Sequence, residues 1–223
     1  EAAEKIAEAL DCLPTSLQKA SQMITTQGIE LAGYFTKTEA ILIEYENHLK
    51  KRSNLSTRNP LFVGRETNLV ALEEALKTNS RVVITGKRRM AAEVGLGGVG
   101  KTQISLQYAY RNADKYPYFI WWINSESDAA ILQSYGTLAE KLKVILTEEE
   151  KKQENALIKR VHQKIEKEMG WLLIYDNASD QKFLTPYLPQ SGGHVLITSR
   201  SPKWDLDMSA IFTVGVFKRK ESI

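Results

Sequence analysis

Gly95-Leu-Gly-Gly-Val-Gly-Lys-Thr102 sets glycines, a lysine and a hydroxyl at spacings that suit one task, the holding of a phosphate. Backbone N–H groups can turn inward around an anion only where no Cβ blocks the approach, which calls for glycine. The segment fits the pattern G-x-x-x-x-G-K-[ST] throughout. A helix beginning near Lys101 would direct the positive end of its dipole at the same anion. Lys101 then brings a point charge to the β- and γ-phosphates, and the Thr102 hydroxyl is a ligand for Mg²⁺. The contact set of this loop and helix start is Gly95, Gly97, Gly98, Val99, Gly100, Lys101, Thr102 and Gln103.

Two further segments end in groups that could join that chemistry. Trp171-Leu-Leu-Ile-Tyr-Asp176 reads as a buried strand with a carboxylate at its C-terminal edge, where open parallel sheets bind ligands. Asp176 at that edge can hold Mg²⁺ through its water shell, which makes it a second metal residue beside Thr102. His194-Val-Leu-Ile-Thr-Ser-Arg200 is a similar strand ending in hydroxyls and an arginine. Arg200 can sense or neutralise a terminal phosphate, or cap the strand end. Lys101, Asp176 and Arg200 are therefore the candidate catalytic groups. Asn177 follows Asp176 where an acid could orient an attacking water; an amide cannot accept that proton, so slow turnover is expected. Asp180 is near in sequence but has no evident place in such a step.

These groups need a scaffold, and short Val- and Ile-rich runs alternating with helical stretches supply one. The pattern predicts a helix at Glu66 to Lys77, a strand at Val82 to Thr85 and a helix at Lys101 to Arg111. A strand at Phe119 to Asn124 follows, then helices between Asp128 and Lys167. Strands at Trp171 to Asp176, Val195 to Ser199 and Ile211 to Val214 complete it. Such alternation means a buried parallel sheet with helices on both faces, an α/β fold. Before it, residues 1–51 read as helices, with Ile6, Leu10, Leu13 and Leu17 at three- and four-residue steps. The polar, turn-rich stretch 52–60 reads as a linker, and 61–223 as the nucleotide-binding domain.

Composition narrows the partners. The 30 basic and 27 acidic residues leave a net charge of +3, too balanced to argue for nucleic acid or an anionic membrane. The single cysteine, Cys12, rules out an intrachain disulfide framework. No His or Cys cluster has zinc-ligand spacing. The strongest apolar stretch, Tyr118 to Ile123, is too short to span a bilayer, and the charged N-terminus does not read as a signal peptide. The expectation is a cytoplasmic protein. Trp121 and Trp122 read as core residues, His48 and His162 as solvent-facing, and Lys87-Arg-Arg89 as a solvated loop.

With Phe62-Val-Gly-Arg65 just upstream, GLGGVGKT, WLLIYDN and VLITSR make the region from about Leu61 to Ile223 resemble the NB-ARC domains of the STAND class. The resemblance implies an ASCE-type P-loop NTPase sandwich with strand order 5-1-4-3-2. It also implies an adenine nucleotide, ADP or ATP, with Val63 and Arg65 near the base, and a switch that rests with ADP and assembles with ATP. Partners would be protein partners or further copies, engaged through flanking domains. The adenine preference comes with the resemblance, because the motifs read from residues bind phosphate, which every nucleotide shares. Two departures stand out. Between Thr85 and Gly95 lie Gly86 and KRRMAAEV, so either Gly86 or Gly95 opens the loop. Leu13-Pro-Thr-Ser-Leu-Gln-Lys-Ala20 looks like the family's LPLAL-type segment but precedes the domain instead of following the fifth strand; an ordinary amphipathic helix reads the same way. Three functions compete: a nucleotide-operated switch with slow or negligible hydrolysis, an active NTPase, and a nucleotide-free scaffold with a spoiled loop. Gly100, Lys101, Thr102 and Asp176 argue against the last, and Asn177 against the second.

Overall fold

In the computed structural model, uninterrupted apolar runs become the strands of one sheet. Residues 47–59, 62, 64–86, 100–153, 155–201, 203–204 and 210–214 are described. The chain divides into two compact units, Glu1–Arg52 and Ser53–Ile223. In the first, residues 47–52 are helical; the helices expected before them, with the Leu13 to Ala20 segment, lie outside the described residues.

The second unit contains β1 (Arg81–Gly86), β2 (Phe119–Asn124), β3 (Trp171–Ala178), β4 (His194–Ser199) and β5 (Ala210–Val214). All neighbours pair in parallel, in the order β2-β3-β4-β1-β5. Counted from the other edge this is the order 5-1-4-3-2 of a P-loop NTPase. Val82, Val83 and Ile84 have no exposed surface, nor do Leu172, Leu173 and Ile174. Consecutive strand residues point to opposite faces, so burial of all of them requires cover on both sides.

Helices give that cover: α1 (Glu66–Thr78), α2 (Lys101–Arg111), α3 (Asp128–Lys141), α4 (Ala156–Ile165) and the short α5 (Gln181–Leu184). Their apolar faces follow the helical repeat. Leu69, Leu72 and Leu76 of α1 are buried, as are Ile158, Val161 and Ile165 of α4. Truncating one such leucine typically costs about 2–5 kcal/mol. The α3 start is fixed by Ser127, whose Oγ accepts the Ala130 N–H at 3.3 Å. No described helix is long and apolar enough to cross a membrane.

Aromatic packing locks β2 to β3. The Phe119 and Trp171 rings stack 6.2 Å apart, 8° from parallel, and the Trp171 indole donates to the Ile165 carbonyl at 2.8 Å. A Cβ on Gly193 would lie 2.3 Å from that indole, so this approach to β4 requires glycine. Trp121 is buried, in keeping with a core role, and Trp122 is half-buried.

Among the described residues the outer edge of β2 is met without a further strand. Ser53 forms a parallel bridge with Ile120. The Asn54 amide donates to the Trp122 carbonyl at 2.9 Å and accepts the Trp122 N–H at 2.6 Å. Ser134 Oγ accepts the Asn124 N–H at 3.2 Å. The same segment then runs across α2, where Arg58 donates to Gln107 (3.2 Å) and Tyr110 to the Ser56 carbonyl (2.9 Å).

His162 departs from expectation. It does not face solvent: its Nε2 lies 2.7 Å from the Tyr135 hydroxyl, within a buried network. Tyr135 also meets the Tyr175 hydroxyl (2.6 Å), and both phenols donate to the Tyr187 carbonyl. The position is four residues beyond Ile158 and three before Ile165, on the margin of the apolar face of α4, so the charged neighbours in sequence were misleading. Burial pushes the imidazole down to about 4, outweighing Glu166 and the Tyr187 backbone, which act in the opposite sense.

Because the folded-state pKa lies below the ordinary 6.5, the unfolded chain takes up this proton first as pH falls. The stabilisation is complete above about pH 6.5 and declines toward about pH 4, by roughly 2 kcal/mol between about pH 7 and about pH 5. Urea unfolding of wild type and His162→Gln at those two pH values measures this contribution. The variant is expected to lose that part of the slope, and equal slopes would refute the assignment.

Candidate functional site

The end of β3 and the start of α2 meet at one point. Gly100 is the N-cap of α2 and has φ +87°, a conformation that costs a residue with a Cβ about 1–2 kcal/mol. A Cβ there would touch nothing within 4 Å, so the requirement is conformational and not one of space. The N-cap glycine has no side chain with which to cap this helix start, and the first turn carries no acidic residue. Its leading N–H groups are thus arranged as at an anion site.

Around that start stand the groups anticipated from sequence. Thr102 Oγ1 donates to Asp176 Oδ1 at 3.0 Å and reaches Oδ2 at 3.3 Å. Lys101 is half-buried. Burial first, then the Arg200 charge, lowers its pKa, while Asp176 opposes them. Both charges act on Lys101, so Asp176 and Arg200 lie within electrostatic reach of it. Arg200 is exposed, and Gln103 lies half-buried in the first turn of α2.

The oxygen set suits a small hard cation. Adjacent ligands of an octahedral Mg²⁺, at 2.0–2.1 Å from the ion, stand about 2.9 Å from each other. The Thr102–Asp176 spacing of 3.0 Å matches that edge. No group of three or more His, Cys, Asp or Glu side chains gathers elsewhere as a metal cage among the described residues. A Mg²⁺ here would be held by these two oxygens together with water and phosphate, as is usual for this ion.

Sequence reasoning missed Thr198 as a site residue. Its hydroxyl donates to Asp176 Oδ1 and accepts the Asn177 N–H at 2.9 Å. The register explains why this is possible: Tyr175 pairs with Ile197 and Ala178 with Ser199, so three steps on β3 face two on β4. The extra residue is a β-bulge, a device that re-aims side chains beside active sites. Asn177 takes the left-handed conformation there, φ 65°, which asparagine tolerates better than most residues. Ser199 Oγ then donates to the Ala178 carbonyl at 2.8 Å and closes the bulge. The hydroxyl-rich end of VLITSR was the available signal; the bulge that uses it is a tertiary feature.

Other anticipated groups fall differently. Asp180 is the N-cap of α5, its carboxylate accepting the Phe183 N–H at 2.9 Å. Arg65 is buried, with φ 65°, at the N-cap of α1. Its neighbour Glu66 is forked by Arg111 of α2 (2.5 and 2.6 Å). Val63, Gly95, Gly97, Gly98, Val99 and the insertion 87–95 lie outside the described residues.

The NB-ARC domain profile matches residues 69–222. A nucleotide-binding leucine-rich repeat (NLR)-like protein of Hyaloscypha variabilis is 32% identical over 144 residues, covering 61% of this chain and 14% of that protein. The chain thus spans only a small part of that relative's length. Among solved structures, a Walker-type ATPase of Pyrococcus abyssi aligns at 15% identity with a TM-score of 0.39, over 76% of this chain and 58% of that one.

Replacing Thr198 by valine removes the donor to Asp176 and the acceptor for Asn177 at constant shape. Hydrogen bonds to charged groups contribute about 1.5–3 kcal/mol, so affinity for Mg²⁺–ADP should fall roughly tenfold or more. Affinity for ADP in excess chelator should change little. Calorimetry that finds the same loss with and without Mg²⁺ would mean that Thr198 shapes the fold and not the metal site.

Proposed function

The chain belongs to the NB-ARC domain family, and on that premise we propose that it binds an adenine nucleotide with Mg²⁺ as a signalling switch, hydrolysing it slowly or not at all. The observation that carries the reading is the contact of Thr102 with Asp176 at the uncapped start of α2, with Lys101 and Arg200 alongside. Lys101 and the helix N–H groups would bind phosphate oxygens, and Arg200 would meet the terminal phosphate. Mg²⁺, held by Thr102 and Asp176, would supply charge neutralisation between phosphates. Val63 and Arg65 are proposed near the base.

Slow hydrolysis rests on what surrounds Asp176. Asn177 is committed to the left-handed turn of the bulge, and Asp180 to capping α5. Neither is a carboxylate poised over an attacking water. The proposal extends to the whole protein: residues 1–51 as a helical segment, 52–60 as a linker, a cytoplasmic setting, and control of protein partners or self-assembly through further domains.

The purified chain should release ADP or ATP on denaturation, detected by mass spectrometry, and bind ADP with Mg²⁺. Lys101→Ala should weaken that binding strongly; equal affinity by calorimetry would remove the phosphate-loop assignment. Turnover near ~10 s⁻¹, the median for ordinary enzymes, would identify a working NTPase in place of a switch.

A further inference from the structure

At the other end of the sheet, α3 terminates with a lysine where glycine would be the unstrained choice. Val144 N–H donates to the Ala139 carbonyl (2.8 Å) and Lys143 N–H to that of Glu140 (3.0 Å), a Schellman arrangement. The residue that must turn left-handed, at φ 53°, is Lys143. A side chain there costs about 1 kcal/mol relative to glycine. The negative end of the helix dipole favours a cation there and offsets part of that cost.

What Lys143 borders is a cleft of about 530 Å³ between the ends of α3 and α4. Lys143, Arg160, Lys164 and Lys167 line it, against Glu166 and Glu168. Lys164 is engaged with the Leu142 carbonyl (2.5 Å), and Glu166 accepts the Gln190 N–H (2.6 Å). Arg160 contacts Gln163 at 3.2 Å and Glu150 at 4.0 Å. Neither Lys143 nor Lys167 has an ion-pair partner among the described residues. Ile145 lines the same cleft at 83% exposure, and Met169, next to Glu168, is 78% exposed. No other large apolar side chain among the described residues is as exposed as these two. The cleft lies by the start of β3, about 17 Å from Asp176 along that strand.

We propose that this cleft docks an acidic segment of a partner protein, with carboxylates opposite Lys143 and Lys167 and an apolar side chain against Ile145. Unanswered cations select acidity, exposed Ile145 and Met169 select an apolar anchor, and concavity selects a chain segment over a flat bilayer. The inference goes beyond nucleotide binding and does not depend on it.

Fluorescence anisotropy with the whole chain tests it, using a dye-labelled peptide of alternating glutamate and leucine and its glutamine–leucine counterpart. The glutamate peptide should bind in preference to the glutamine one, and should lose about tenfold or more in affinity to the doubly reversed Lys143→Glu/Lys167→Glu chain. Lys143→Gly should bind the peptide more weakly while melting no lower, because relief of the left-handed strain offsets the lost dipole interaction. That pairing separates a docking side chain from a structural one, and an unchanged circular dichroism spectrum in each variant confirms an intact fold. No binding by wild type, equal affinity for both peptides, or affinity unchanged by charge reversal would each overturn the proposal. Binding to phosphatidylserine vesicles but not to the peptide would overturn it in favour of a membrane surface.

Discussion

The Asp176 carboxylate is where three distant parts of the chain are held to one another. It accepts from Thr102 on α2 and from Thr198 on β4, and its own strand supplies the bulge that aims it. A carboxylate at the rim of a sheet whose inner strands are fully buried loses water on one side, and charged groups in such places need hydrogen-bond donors. Two hydroxyls meet that need, and on the proposed reading Thr102 would also be an oxygen ligand of a cation. The same contact that makes the edge stable therefore also assembles the chemistry. Removing either hydroxyl disturbs both, so stability and ligand affinity are coupled here and are not separately adjustable.

The parallel sheet imposes the rest. Parallel strands need helical crossovers, and every crossover returns the chain so that all C-terminal strand ends collect on one rim. Lys101, Asp176 and Arg200 are scattered over 100 residues of sequence, yet this topology leaves them together. At the opposite rim the ends of α3 and α4 gather with their negative dipole ends, which favours nearby lysines. Functionally different rims follow from one connectivity, with anion binding at one and an acidic partner's docking ground at the other.

Much of this was legible in the sequence. Apolar runs such as Trp171 to Tyr175 are too short for a buried helix and read as strand, and α2 and β2 span the residues that the pattern indicated. The phosphate-loop spacing located Lys101 and Thr102 because its chemistry tolerates few substitutions. Strand order was accessible only through family resemblance, since periodicity says nothing of which strand lies beside which. Thr198 and His162 escaped for a shared reason: each acts through a partner far away in sequence, Asp176 in one case and Tyr135 in the other. Asn177 was read for the proton it cannot accept; its backbone conformation, invisible from composition, gives a second reason for its presence.

Asn54 has a wider meaning than its two hydrogen bonds. An amide side chain presents an N–H and a C=O side by side, as a peptide does, so it can stand in for a single residue of a strand. With Ser53 before it and Ser134 beyond, the outward groups of Ile120, Trp122 and Asn124 are met in succession. An uncovered edge of that length is a template on which extended chains nucleate, the route to runaway aggregation in crowded cells. Here the template is blunted by a segment too irregular to pass the pattern on to another chain. A strand added at this edge would first have to displace those contacts, a barrier that association through side-chain surfaces does not meet.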